Sequence, residues 1–290
     1  MTPTIGFVRY HGAGLNALRR VAVHSLLPFS RPRHSPGEFE PITKTLAAPK
    51  QALVDAYVGW CGDTRQRYEH TLPPHMFAQW SVPLVAEQLL RTRYRLMGMI
   101  NQGCSMQLLQ PIKRGIALEV TAEVVQIDAD PYRSVVHHKI STWQQGQLAM
   151  VAGLKTLFLS KKKRSGKRPP PKPLDHTAGF WRAQPRDGWQ FALLTGEFNP
   201  LHWCWPVARL SPFKGTILHG FGTFARSYEV LTNALSPIES IDVTFTRPVT
   251  LPSPPLAVMY DHNQVHLAND QGQIFMRGEF GRAIERPTCS

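Results

Sequence analysis

The sequence predicts an α+β protein made of two similar halves. Three observations carry that prediction. Each half reads as one apolar helix followed by several antiparallel strands. A basic, proline-rich segment separates the halves. At 290 residues and 42% apolar, the chain has enough material for one large core or two ordinary ones.

The segment Lys161 to Pro173 sets the boundary. Its like charges repel, and three consecutive prolines favour extended polyproline geometry, so it reads as a linker. Before it, Pro83 to Ile100 is apolar with helical content. Gly115 to Val125 alternates as a half-buried strand, and Arg133 to Trp143 and Leu148 to Leu159 read as two more. After it, Thr216 to Leu235 reads as a helix, because Ile217, Phe221, Phe224, Tyr228, Leu231 and Leu235 recur at steps of four and three. Strand-like runs follow at Ile241 to Arg247, Leu256 to Tyr260, Gln264 to Ala268 and Ile274 to Phe280. Asn269-Asp270-Gln271-Gly272 supplies a hairpin turn.

The net charge of +13 is unevenly placed. Residues 1–37 hold five arginines and no acid, residues 161–172 hold seven Lys/Arg and no acid, and the rest is close to neutral. Such segments read as a solvated tail and linker, or as a surface for an acidic partner. They lack interleaved aromatics, so nucleic acid is not expected. Leu15 to Leu27 is basic and amphipathic at helical spacing. It has the character of a mitochondrial transit peptide, a membrane-surface helix or a helix packed on its own domain. No apolar run reaches the length of a membrane span. Cys61, Cys104, Cys204 and Cys289 are scattered with no C-x-x-C pair, which fits a reducing compartment such as the cytoplasm and argues against a structural metal site.

The chemistry concentrates in Leu194-Thr195-Gly196-Glu197-Phe198-Asn199-Pro200-Leu201-His202, with His219-Gly220 further on. Gly196, Asn199 and Pro200 force this stretch out of regular structure. Histidine exchanges protons near neutrality, and a carboxylate beside it orients it or shares the proton work. An acid and a histidine at this spacing are common in structural roles; the surrounding Thr-Gly, Asn-Pro-Leu and downstream His-Gly make the set specific. Gly220 stands where a helix begins. Helix N-termini present unpaired N–H groups and partial positive charge, suited to a developing oxyanion.

These residues resemble the signature G-D-x-N-P-x-H of the MaoC-like, (R)-specific enoyl thioester hydratases and dehydratases, with Glu197 where the family has Asp. Ile241 to Pro252 is similar to the family's F-x-x-P-V strand and bend. Tyr57 to Asp63 and Thr71 to Met76 look like a degenerate counterpart lacking N-P-x-H. The resemblance implies a double hotdog. Residues 1–40 would be a basic extension, 41–160 a degenerate hotdog, 161–175 the linker and 176–290 the catalytic hotdog. It implies reversible syn addition of water to a trans-2-enoyl thioester, with Glu197 and His202 activating water and the Gly220 N–H stabilising the enolate. Asn199 would fix the loop, His219 would be structural, Phe224 and Tyr228 would lie beside the acyl pocket, and Arg209, Lys214 and Arg247 would meet carrier phosphates. No metal or other cofactor is implied; the thioester carrier, coenzyme A or an acyl carrier protein, belongs to the substrate. Two halves in one chain allow a monomer or a homodimer. A hotdog thioesterase and a non-catalytic acyl-carrier binding protein are the alternatives, because glutamate carries its acid on a stem one methylene longer.

Overall fold

The computed structural model describes residues 3–11, 39–62, 66–92, 94, 99–160, 174–235 and 237–282. The first half holds β1 (Ile42–Leu46), α1 (Gln51–Cys61), α2 (Ala78–Leu90), β2 (Met99–Leu108), β3 (Leu118–Ala129), β4 (Arg133–Gln144) and β5 (Gln147–Leu159). The second holds β6 (His176–Trp181), α3 (Asp187–Thr195), the short α4 (Trp205–Arg209), α5 (Gly220–Leu235), β7 (Ile238–Phe245), β8 (Leu256–Asp261), β9 (Gln264–Ala268) and β10 (Ile274–Arg282).

All ten strands join one antiparallel sheet in the order β1-β3-β4-β5-β2-β7-β10-β9-β8-β6. The order is symmetric about its middle: β2 answers β7, β5 answers β10, and so outward to β1 and β6. Burial alternates along β4 and β5, so one face carries the core and the other meets solvent. The helices lie on the core face. Phe77, just before α2, meets Phe221 in the first turn of α5 edge to face, with ring centroids 5.8 Å apart.

The seam between halves is the β2–β7 pair, registered from Gly103 against Thr244 to Gln107 against Ser240. A side chain at Gly103 would strike the Val243 carbonyl oxygen, so the close approach needs glycine there. Arg226 on α5 ties the helices together. Its guanidinium makes two bonds to Asp187 at the start of α3, at 2.5 and 2.9 Å, and lies 4.0 Å from the Trp60 ring of α1.

Strands β3, β4, β5, β7, β8, β9 and β10 fall where the alternation predicts them, within a few residues at their ends. The α5 stripe is buried from Phe221 to Leu231 as its periodicity requires. The helix begins at Gly220 rather than Thr216, because the preceding backbone is already engaged: Leu218 N–H donates to the Val249 carbonyl and Leu251 N–H to that of Thr216. The helical content expected over Pro83 to Ile100 belongs to α2, which starts earlier, at Ala78, while Met99 and Ile100 open β2. Edge strands β1 and β6 are short and little alternating, and a bulge between Asn101 and Gly103 breaks the pattern of β2, so none of the three stands out in the sequence.

Residues 3–11 are not a solvated tail. Phe7 is buried, and His11 lies against α3 with its Nε2 2.7 Å from the Leu193 carbonyl oxygen. The Leu15 to Leu27 stretch and the 161–173 linker lie outside the described residues. Among the described residues no helix is long and apolar enough to cross a membrane.

Gly103→Ala will push β2 from β7 and cost about 2 kcal/mol of stability, the usual scale for overpacking at a closed site. Urea unfolding with an unchanged m-value checks it.

Candidate active site

The loop bearing the acid and the histidine is built one residue at a time. Gly196 ends α3 in the left-handed conformation at φ 80°, its N–H donating to the Ala192 carbonyl. Glu197 follows directly. Asn199 caps a single 3-10 turn, Pro200–His202: its side-chain oxygen accepts the Leu201 N–H at 3.2 Å, and Pro200 occupies the first position, where no donor is needed. Asn199 thus fixes the loop, the place the sequence gives it. The loop is also clamped from behind. A side chain at Gly188, in the first turn of α3, would strike the His202 carbonyl oxygen, so only glycine lets this turn sit flush on the helix.

His202 is buried, and its Nδ1 lies 2.9 Å from the Ile217 carbonyl oxygen, which fixes the tautomer: Nδ1–H donates and Nε2 keeps a free lone pair. Burial lowers its pKa to about 4, against the opposing pull of that carbonyl. Glu197 is half-buried at the wall of the same cavity, and burial raises its carboxyl to about 7. The ordinary order of the two groups is inverted, so through the range between those values the shared proton rests on the acid and the histidine is a free base.

His219 stacks on His202 with ring centroids 3.6 Å apart and donates from Nε2 to the Glu197 backbone carbonyl at 2.9 Å. It braces both residues. Ligand-type atoms of Glu197, His202 and His219 all lie within 4.8 Å of one another. His202 Nδ1 and His219 Nε2 are already engaged by the Ile217 and Glu197 backbone carbonyls. The trio suits proton exchange better than metal ligation.

These groups face one end of a cavity of about 280 Å³. The first half supplies its apolar wall, with Val82, Val85 and Leu89 from α2 and Met99 and Ile100 from β2. The second supplies Glu197, Asn199, His202, Gly220 and Phe221, with Arg247 at the rim. Gly220 opens α5, and its N–H belongs to the unpaired first turn.

The other predicted site residues fall elsewhere. Phe224 and Tyr228 are buried in the core and do not line the cavity; Phe224 packs against Phe77, and the Tyr228 hydroxyl donates to the Ile238 carbonyl. The reason is position along the helix: the cavity meets α5 at its first turn, through Gly220, Phe221 and Thr223, and Phe224 and Tyr228 share the Phe221 face but lie further along the axis. Arg209 and Lys214 are exposed and also lie outside the lining. Arg209 sits over the Trp205 ring at 5.2 Å, on an exposed segment that includes Leu210. The resemblance implies that the first half completes the acyl tunnel, but the sequence singles out none of its cavity residues, nor Gly188 or His11. Only the position of Gly188, near the start of a short helix, gave any hint.

Residues 160–262 match the family model described as MaoC like domain, the family that the motif resembles. No curated protein matches the chain in sequence. Among solved structures, HtdX of Mycobacterium tuberculosis is similar at TM-score 0.70 and 19% identity, over 84% of this chain and 100% of that one. A MaoC-like dehydratase from Phytophthora capsici is similar at TM-score 0.68 and 14% identity, over 84% and 96%. A conserved hypothetical protein of M. tuberculosis described as a double hotdog is similar at 0.51 and 11%, over 84% and 96%. The fold is a double hotdog.

Gly188→Ala will lift the Pro200–His202 turn from α3. A displacement of about 1 Å lowers turnover roughly a hundredfold. Steady-state kinetics together with circular dichroism will separate that loss from unfolding.

Proposed function

We propose that the chain adds water reversibly across the C2–C3 double bond of a trans-2-enoyl thioester, giving a 3-hydroxyacyl thioester, of (R) configuration by resemblance to the family. The supporting observation is the joint placement of a neutral histidine Nε2, a carboxyl group of raised pKa and a helix N-terminus at one end of an apolar cavity.

Hydration requires one group that takes a proton and one that gives a proton. His202 Nε2 accepts a proton from water as its oxygen bonds to C3. The C2–C3 π electrons move toward the carbonyl, whose oxygen gains charge beside the Gly220 N–H. Glu197 delivers its proton to C2 as the carbonyl re-forms. The proton on His202 then returns to the Glu197 carboxylate, restoring the starting state. Dehydration reverses each step. The acyl chain lies along the apolar wall from the first half. Arg247, exposed at the rim, is placed for a phosphate of the carrier, which is coenzyme A or an acyl carrier protein.

The test is loss of enoyl absorbance with crotonyl- and longer trans-2-enoyl-coenzyme A. Wild type turns over, and His202→Ala loses at least about a hundredfold, the typical worth of a general acid–base group. Glu197→Gln loses as much, and Glu197→Asp, which keeps the acid, stays above it. Free thiol released with the double bond retained in a free enoic acid, and no 3-hydroxyacyl thioester formed, would mark a thioesterase and reject the hydratase reading.

The active pair carries one proton in both directions. Its population falls as pH rises through about 7, where Glu197 ionises, and as pH falls through about 4, where His202 gains a proton. A profile of kcat/KM will therefore decline about tenfold per unit on the alkaline side, and Glu197→Gln will remove that limb.

A further inference from the structure

We infer that Asn101, from the half that lacks the catalytic motif, is a second donor to the thioester carbonyl. This rests on the hydratase reading only for the reaction; the contact itself requires an acyl thioester in the cavity.

Asn101 lies on β2 and lines the cavity. On a regular strand, residues three apart point to opposite faces. Cys104 is buried on the core face beside Leu154, so an unbroken strand would turn Asn101 outward. The bulge between Asn101 and Gly103 inserts one residue and reverses that phase, bringing Asn101 opposite Thr156, itself a cavity residue. The strand spends an irregularity to aim this side chain inward.

The amide orientation is fixed as well. Its Oδ1 accepts the Gly103 N–H at 3.2 Å, which leaves Nδ2 as the free end. Nδ2 is buried and has no hydrogen-bond partner among the described residues. It points toward the start of α5: it would stand 3.3 Å from the first side-chain carbon of any residue replacing Gly220. A buried donor without an acceptor is costly and rare in folded proteins. An acceptor placed by a ligand would satisfy it.

A carbonyl oxygen has two lone pairs and takes two donors. Gly220 N–H, from the second half, and Asn101 Nδ2–H, from the first, flank the same space. Charge on the thioester oxygen grows from substrate to enolate, so both bonds strengthen in the transition state and act on kcat more than on KM. Asn101 exchanges no proton and forms no covalent bond. Its arrangement gives the first half a share in the chemistry although the cavity residues of that half include no acid or base.

The experiment pairs kinetics with spectroscopy on the full chain. Asn101→Leu keeps the shape and removes the donor; Asn101→Gln keeps the donor on a longer stem. With crotonyl-coenzyme A, Asn101→Leu will lose about a hundredfold in kcat, the usual effect of deleting one oxyanion donor, with KM changed by no more than about threefold. Difference infrared spectra of hexanoyl-coenzyme A labelled with ¹³C at the carbonyl will show a downshifted C=O band on wild type that Asn101→Leu reduces and Asn101→Gln partly restores. Turnover by Asn101→Leu within threefold of wild type, or an unchanged C=O band, overturns the assignment. So does a wild-type protein that binds no acyl thioester. A downshifted, Asn101-dependent band without hydration by wild type would uphold Asn101 and reject the hydratase reading.

Discussion

The close antiparallel pairing of β2 with β7 is the constraint on which the rest depends. It makes two five-stranded sheets into one and places α2 of the first half beside α5 of the second. The cavity lies between those helices, so neither half contains it alone. Gly103 sits at the centre of this arrangement. Its missing side chain lets the strands approach, and its N–H orients Asn101 at the adjoining bulge. One glycine therefore couples the architecture of the sheet to the lining of the site.

The two halves differ in what surrounds a buried histidine close before a helix. His75 stands three residues before α2 and His219 one residue before α5, and Phe77 and Phe221 meet across the seam. His75 is fully occupied: Nε2 lies 2.5 Å from Glu229 and Nδ1 3.1 Å from the Tyr57 hydroxyl. Arg67 also bonds Glu229, at 3.1 Å. His75 is thus a buried polar anchor to α5. A core that needs such a network satisfied gains specificity from it rather than reactivity.

The reactive half uses burial differently. On Glu197 and His202 desolvation outweighs the one opposing contact, the Ile217 carbonyl on His202, and pushes their pKa values past each other. Rigid neighbours hold them in place while leaving the Glu197 carboxyl and His202 Nε2 free. Asn199 and the glycine surface of α3 meet backbone, and His219 meets backbone and the face of the His202 ring. The longer stem of Glu197, compared with the family's aspartate, still brings its carboxylate within 4.8 Å of both histidines.

Local features were legible in the sequence. The strand periodicity from β3 onward, the buried stripe of α5 and the Gly196 to His202 loop depend on neighbours a few residues apart, and all appear as expected. The proximity of Glu197 and His202 was legible for the same reason, since one loop supplies both. The sequence alone did not decide how far along α5 the cavity reaches, and so Phe224 and Tyr228 were placed beside a pocket that ends at the first turn of the helix. Nor did it separate Arg247 at the rim from Arg209 and Lys214 on an outlying surface. Those outcomes depend on how helices and strands distant in the chain pack. The inward turn of Asn101, the occupation of His75 by Glu229 and the clamp of Gly188 on His202 are likewise products of long-range contact. The sequence determined the chemistry present and the elements that carry it; tertiary packing decided which groups share a space, because burial and direction are properties of the assembled core.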